Sequence, residues 1–120
     1  MNRFGFEETQ WEAAKAEGKT VLSGYAKRRQ MVVYSKLVRE IHSIQLEPHD
    51  QRLFDLLGEI STEEDAAGRG MLSSLVVHKD GDLQPGPGFF ELAQKLGHDT
   101  SDILVFWISQ VKRVFAAWRE

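Results

Sequence analysis

The stretch Gly70-Met-Leu-Ser-Ser-Leu-Val-Val-His-Lys-Asp-Gly-Asp-Leu-Gln-Pro-Gly-Pro-Gly-Phe-Phe90 decides how the remaining segments can assemble. Its first part, Met71–Val77, is Val-rich and bounded by Gly70 and by Asp80-Gly81, which predicts a strand. Asp80-Gly81 is a tight-turn pair, yet only Leu83-Gln84 can return before Pro85, so any hairpin partner is stunted. Pro87-Gly88 then opens a short helix carrying Phe89, Phe90, Leu92, Ala93 and Leu96, with Gly97 as its C-terminal glycine. Both flanks read as helix. The stretch therefore holds the one buried strand about which helices can gather, and the one loop rich enough in glycine to present backbone N–H groups.

Upstream, Trp11, Ala14, Gly18, Val21, Leu22 and Tyr25 recur at three- and four-residue intervals and predict an amphipathic helix from Glu8 to about Arg29, with a kink or a close helix contact at Gly18. Met31–Tyr34 is short and β-branched, a second strand. Ser35 is the expected N-cap of a helix over Lys36–Ile44, with Leu37, Val38, Ile41 and Ile44 inward. Pro48 breaks the chain, and Asp50 caps a helix carrying Leu53, Phe54, Leu56, Leu57 and Ile60. Ser61-Thr-Glu-Glu64 matches a capping box and predicts a new short helix ending at Gly68. After Asp99-Thr100, taken as a cap, Ile103, Phe106, Trp107, Gln110, Val111, Val114, Phe115 and Trp118 form the stripe of a last helix, apolar except for Gln110. The fold class is mainly α with a small β-element, α+β, in a single domain over residues 1–120.

Composition narrows the function. A 120-residue chain with 42% hydrophobic and 28% charged residues can bury a core of its own. With no cysteine, disulfides and thiolate chemistry are excluded. The absence of a membrane-length apolar run and of a secretory pattern at Met1–Glu8 leads to the expectation of a cytoplasmic protein with no membrane contact. The net charge of −3 conceals a segregation. From Lys15 to Glu40 seven bases (Lys15, Lys19, Lys27, Arg28, Arg29, Lys36, Arg39) oppose two acids, and from Glu47 to Asp65 seven acids oppose Arg52 alone.

Catalytic and metal-ligating patterns are missing. His42, His49, His78 and His98 have no H-x-H, H-x-x-H or H-E-x-x-H spacing. Ser73 and Ser74 lack the G-x-S-x-G setting of a nucleophile. Glu59, Glu63, Glu64 and Asp65 read as a solvated acidic face. No catalytic residue, metal or cofactor is expected. Gly86-x-Gly88 before a helix can hold an anion on backbone N–H groups, with Arg69 and Lys79 supplying charge, although the prolines remove two donors and no Walker lysine follows. Of the aromatic residues in the last helix, Trp107 and Trp118 are assigned to a partner or dimer face.

Gln30-Met-Val-Val-Tyr-Ser-Lys-Leu-Val-Arg-Glu-Ile41, with the later strand and the Asp80-Gly81 turn, resembles the strand-turn-helix opening of the C-terminal domain of DNA alkyltransferases and their inert, alkyltransferase-like relatives. The resemblance spans about residues 30 to 90 and implies a winged-helix-like domain with Asp80-Gly81 at the wing. The family's Pro-Cys-His-Arg signature has no counterpart, so alkyl transfer is not implied. The expected function is a non-enzymatic interaction or regulatory module that binds a protein partner or itself as a homodimer. The alternative is sequence-tolerant DNA binding through Lys27, Arg28, Arg29, Lys36, Arg39 and Lys79, and a second alternative is a small anionic ligand at Gly86–Phe90.

Overall fold

The segment expected to be a strand is a 3-10 turn, Leu72–Leu75, followed by a two-residue strand, in the computed structural model, which describes residues 2–79 and 84–119. All seven residues from Met71 to Val77 are buried. An extended strand would send these side chains to two opposite faces, whereas a 3-10 turn spreads them in three directions. Three helices surround this turn, so the tighter conformation matches its surroundings.

In chain order the elements are β1 (Asn2–Arg3), β2 (Phe6–Glu7), α1 (Glu8–Lys27), β3 (Val32–Val33), α2 (Tyr34–Glu40), α3 (Gln51–Ala66), the 3-10 turn, β4 (Val76–Val77), α4 (Pro87–Lys95) and α5 (Ile103–Ala117). The 3-10 turn packs on α1, α3 and α5. Side chains from two of them meet backbone groups in and beside the turn, while the buried Ser74 Oγ has no partner among the described residues. Gln110 Oε1 accepts from Met71 N at 3.0 Å, Ser61 Oγ accepts from Ser73 N at 2.9 Å, and Trp107 Nε1 donates to Ser74 O at 2.8 Å. The polar interruption in the α5 stripe thus serves the buried backbone.

Ser61 explains a second correction. The expected helix boundary at Ser61-Thr-Glu-Glu64 does not exist, and α3 runs unbroken to Ala66. The Ser61 hydroxyl faces inward to Ser73 Oγ, 2.6 Å away, and the Glu64 side chain is fully buried. Both are tertiary contacts made from inside a helix. Asp50 caps α3 as expected, accepting from Arg52 N at 2.9 Å.

The main core joins Trp11, Leu22, Leu37, Leu53, Leu56, Ile60, Leu72, Leu75 and Val114. At Gly18 a Cβ would lie 3.2 Å from Ile60 Cδ1, so the glycine lets α1 and α3 approach closely. A smaller cluster of Met71, Phe89, Ala93 and Phe106 seats α4 against α5.

Strands β3 and β4 pair in parallel, Val32 with Val76 and Val33 with Val77. A parallel pair needs a crossover, which α2 and α3 supply. The expected wing turn, Asp80-Gly81, lies outside the described residues. Beside it His78 N donates to Gln84 O at 3.0 Å. Helix α2 begins at Tyr34 directly from the strand, so Ser35 lies inside the helix instead of capping it. The helix stops at Glu40, short of the expected Ile44, because Glu17 Oε1 accepts from His42 N (2.7 Å) and Ser43 N (2.9 Å) and holds the backbone extended. The cap of α5 is Asp102, accepting from Val105 N at 3.1 Å, while Asp99 accepts from Ser101 N in the preceding turn. An N-terminal hairpin, β1 with β2, had no clear signal beyond Phe4-Gly5, whose positive φ values of 54° and 87° suit a primed turn.

Candidate interaction surface

Helix α5 is apolar on two sides. Phe106, Gln110, Val111 and Val114 face the interior, as their period of three to four residues requires. Leu104, Val105 and Ile108 lie on the opposite side and are exposed, Val105 to 63% and Ile108 to 42%. Ile103, expected inside, lies on the inward stripe yet is 48% exposed, in the first turn of α5. A helix apolar around most of its circumference belongs in an interior, and contiguous exposed apolar residues mark interaction sites.

The charges around this face are ordered. Between Ile103 and Ala117 there is no acid, and Lys112 and Arg113 stand in the C-terminal half. Asp99 and Asp102 precede the helix. Trp107 and Trp118, the residues assigned to a partner face, are half-buried and pack against the core. Trp107 is held by Ser74 O, and Arg69 lies over the Trp118 ring at 5.7 Å. The exposed side of this helix is carried by aliphatic residues, not by Trp107 and Trp118.

The acidic block is not a solvated face. Glu59 accepts from Trp11 Nε1 at 3.1 Å and from Lys15 Nζ at 3.2 Å, and Glu63 takes Lys15 at 2.8 Å. Burial acts to lower the Lys15 pKa, and the hydrogen bonds from Glu63, Glu12 and Glu59 outweigh it, so the amine is held above its usual range. Glu64, fully buried, accepts from Arg69 Nε at 2.8 Å, with Lys19 at 3.7 Å. Its Oε1 has no partner among the described residues. The basic and acidic blocks therefore neutralise each other where α1 crosses α3.

Five of the bases assigned to DNA remain outside that network. Lys27, Arg28, Arg29, Lys36 and Arg39 are exposed at the C-terminal end of α1 and along α2. Arg28 and Lys36 both lie over the Tyr25 ring, at 4.7 and 5.8 Å, and the Tyr25 hydroxyl donates to Glu40 at 3.0 Å.

The residues assigned to an anion site are separated. Arg69 is committed to Glu64 and Trp118. Gly86 N donates to the Tyr34 hydroxyl at 3.2 Å and is not available to an anion. Gly88 lines a groove of about 470 Å³ between α3 and α4, which Asp55, Glu91, Phe54 and Leu92 also line. Lys79 lines a different cavity, beside Tyr34 and His78. Among the described residues no three of His, Asp and Glu stand together as metal ligands, and no helix is long and apolar enough to cross a membrane.

Compared with protein-family models, with curated proteins and with solved structures, the chain matches none.

Proposed function

We propose that this protein is a non-enzymatic interaction module that closes the outer face of α5 on a second copy of itself. The supporting observation is the exposed aliphatic face of Leu104, Val105 and Ile108 on a helix that already buries its opposite side. Charge favours a second copy. With acids before the N-terminus of α5 and bases in its C-terminal half, an antiparallel partner brings Asp102 of one copy beside the Lys112–Arg113 end of the other. The helix dipoles also oppose each other in that arrangement. The aliphatic stem of Lys112 can cover Leu104 of the facing helix while its amine stays wet. Sedimentation velocity over a concentration series tests this. A monomer–dimer equilibrium with roughly micromolar Kd is expected, and Ile108→Glu weakens it at least about 100-fold, since a charge replaces an anchor in an apolar contact. A chain that stays monomeric at about 200 μM contradicts the proposal.

DNA binding is a second reading, favoured by the gathering of Lys27, Arg28, Arg29, Lys36 and Arg39 at one end of α1 and along α2. It predicts retardation of duplex DNA at low salt, with affinity falling steeply as salt rises. Charge reversal at Arg29 and Arg39 abolishes the shift on this reading. No retardation at low salt removes it.

A further inference from the structure

At the carboxyl ends of the parallel strands β3 and β4 lies a cavity of about 400 Å³. The strand register makes this a gathering point. Val33 pairs with Val77, and just beyond the pair Tyr34 lies next to His78, while Ser35 and Lys79 line the same cavity. The Tyr34 and His78 rings are 4.9 Å apart. His49, just before α3, completes a lining that contains two imidazoles, an amine, a hydroxyl and a phenol, and no carboxylate among the described residues. The nearest described acid in the chain, Asp50, is paired with Arg52 at 2.7 Å and also feels the His49 ring beside it.

Among the described residues the side chains of Ser35, His49, His78 and Lys79 make no hydrogen bond or ion pair. The Tyr34 residue is only 7% exposed, and its oxygen accepts from Gly86 N, while among the described residues the phenolic proton has no acceptor. A buried hydroxyl proton without a partner is uncommon in a folded protein. Gly86 also leaves room for this cluster. A Cβ there would stand 2.9 Å from His78 Nε2 and 3.7 Å from the Tyr34 hydroxyl, so the glycine lets the imidazole and the phenol share that corner as they do here. Imidazole donates an N–H in either protonation state, so donor character does not depend on a charged ring. Phe54, edge-on to Tyr34 at 5.7 Å, supplies an apolar wall. The volume falls within the range of about 300–1,000 Å³ found for small-molecule sites, and the position outside the carboxyl ends of parallel strands is where open α/β sheets hold ligands.

We infer that this cavity binds a small organic phosphate, its anionic oxygens on His49, His78, Lys79 and the Tyr34 hydroxyl and its carbon part against Phe54. A phosphate monoester presents three terminal oxygens in three directions, which suits donors arriving from β3, β4 and the start of α3. A carboxylate presents its acceptor sites in a single plane, which suits donors converging from several elements less well. The site is independent of the α5 face.

Isothermal titration calorimetry on the full chain with phenyl phosphate as probe tests the inference, with inorganic phosphate, benzoate and benzyl alcohol as separate arms. Phenyl phosphate is expected to bind at least about 10-fold more tightly than each of the other three. His78→Gln with Lys79→Gln, both at exposed positions, should weaken it at least about 10-fold, and Tyr34→Phe should weaken it while the phenyl ring keeps the packing. The inference is overturned if phenyl phosphate gives no heat at millimolar concentration, if inorganic phosphate or benzoate binds as tightly, or if the double variant binds like the wild type.

Discussion

At the scale of single residues, two positions show how local chemistry sets backbone shape. Gly70 has φ +88°, and a Cβ there would meet Arg113 Cγ and Val114 Cγ2 at 3.1 Å. Gly70→Ala combines a left-handed backbone with a tight contact, and it should lower stability by about 1–3 kcal/mol in urea titrations. An unchanged midpoint would show that the backbone there relaxes freely. Glu17 acts from the surface. The Ser43 N–H donated to it holds its carboxyl below the ordinary 4.5, against an opposing effect of burial and with help from His42 N–H. A carboxylate with a depressed folded pKa adds stability that is complete above its unfolded value and lost as pH falls through the folded value. Urea midpoints of Glu17→Gln should therefore converge on wild type below that range and lie under it from pH 5 upward. Equal midpoints at pH 7 would mean that Glu17 does not hold the end of α2.

At the scale of elements, the 3-10 turn Leu72–Leu75 depends on what α3 and α5 lend it. Gln110→Leu removes the acceptor for Met71 N and leaves a buried N–H unsatisfied, which costs about 1–3 kcal/mol. Gln110→Glu keeps an acceptor and should restore part of the loss. If Gln110→Leu is as stable as wild type by thermal melting, the Met71 contact contributes nothing. Much of the helical framework was legible from local signals, the 3.6-residue period of α1 and α5, Asp50 before α3, and Pro87 and Gly97 around α4, while the ends of α2 and the continuity of α3 past Ser61 were not. Val76 and Val77 do form a strand, but the turn before them was misread because a buried apolar run looks the same in a strand and in a buried 3-10 segment, and only the three surrounding helices decide between them. Ser61 and Gln110 gave the needed signal, as polar residues at core positions, but their partners lie 12 and 39 residues away. Sequence spacing cannot report such pairs. The parallel register of β3 and β4 is likewise a product of the crossover, and it places Tyr34 beside His78.

At the scale of the whole molecule, two charge blocks evident in the sequence divide their roles. Lys15 and Lys19 meet Glu59, Glu63 and Glu64 and fasten α1 to α3, while the bases from Lys27 to Arg39 remain on the surface. What the core leaves uncovered is the outer side of α5. The expected partner face fell on Trp107 and Trp118 because aromatic residues dominate interfaces in general, yet here their ring nitrogens and faces are turned to the core. The exposed aliphatic residues of the same helix are the central claim of this account. Because the chain contains no cysteine, a single introduced thiol reports contact without background. In the proposed antiparallel α5 pair Ile108 lies near the two-fold axis, so Ile108→Cys should form a covalent dimer on mild oxidation, whereas Ala16→Cys, exposed on α1, should stay monomeric. Oxidation that leaves Ile108→Cys monomeric, or that links Ala16→Cys equally well, would contradict the account.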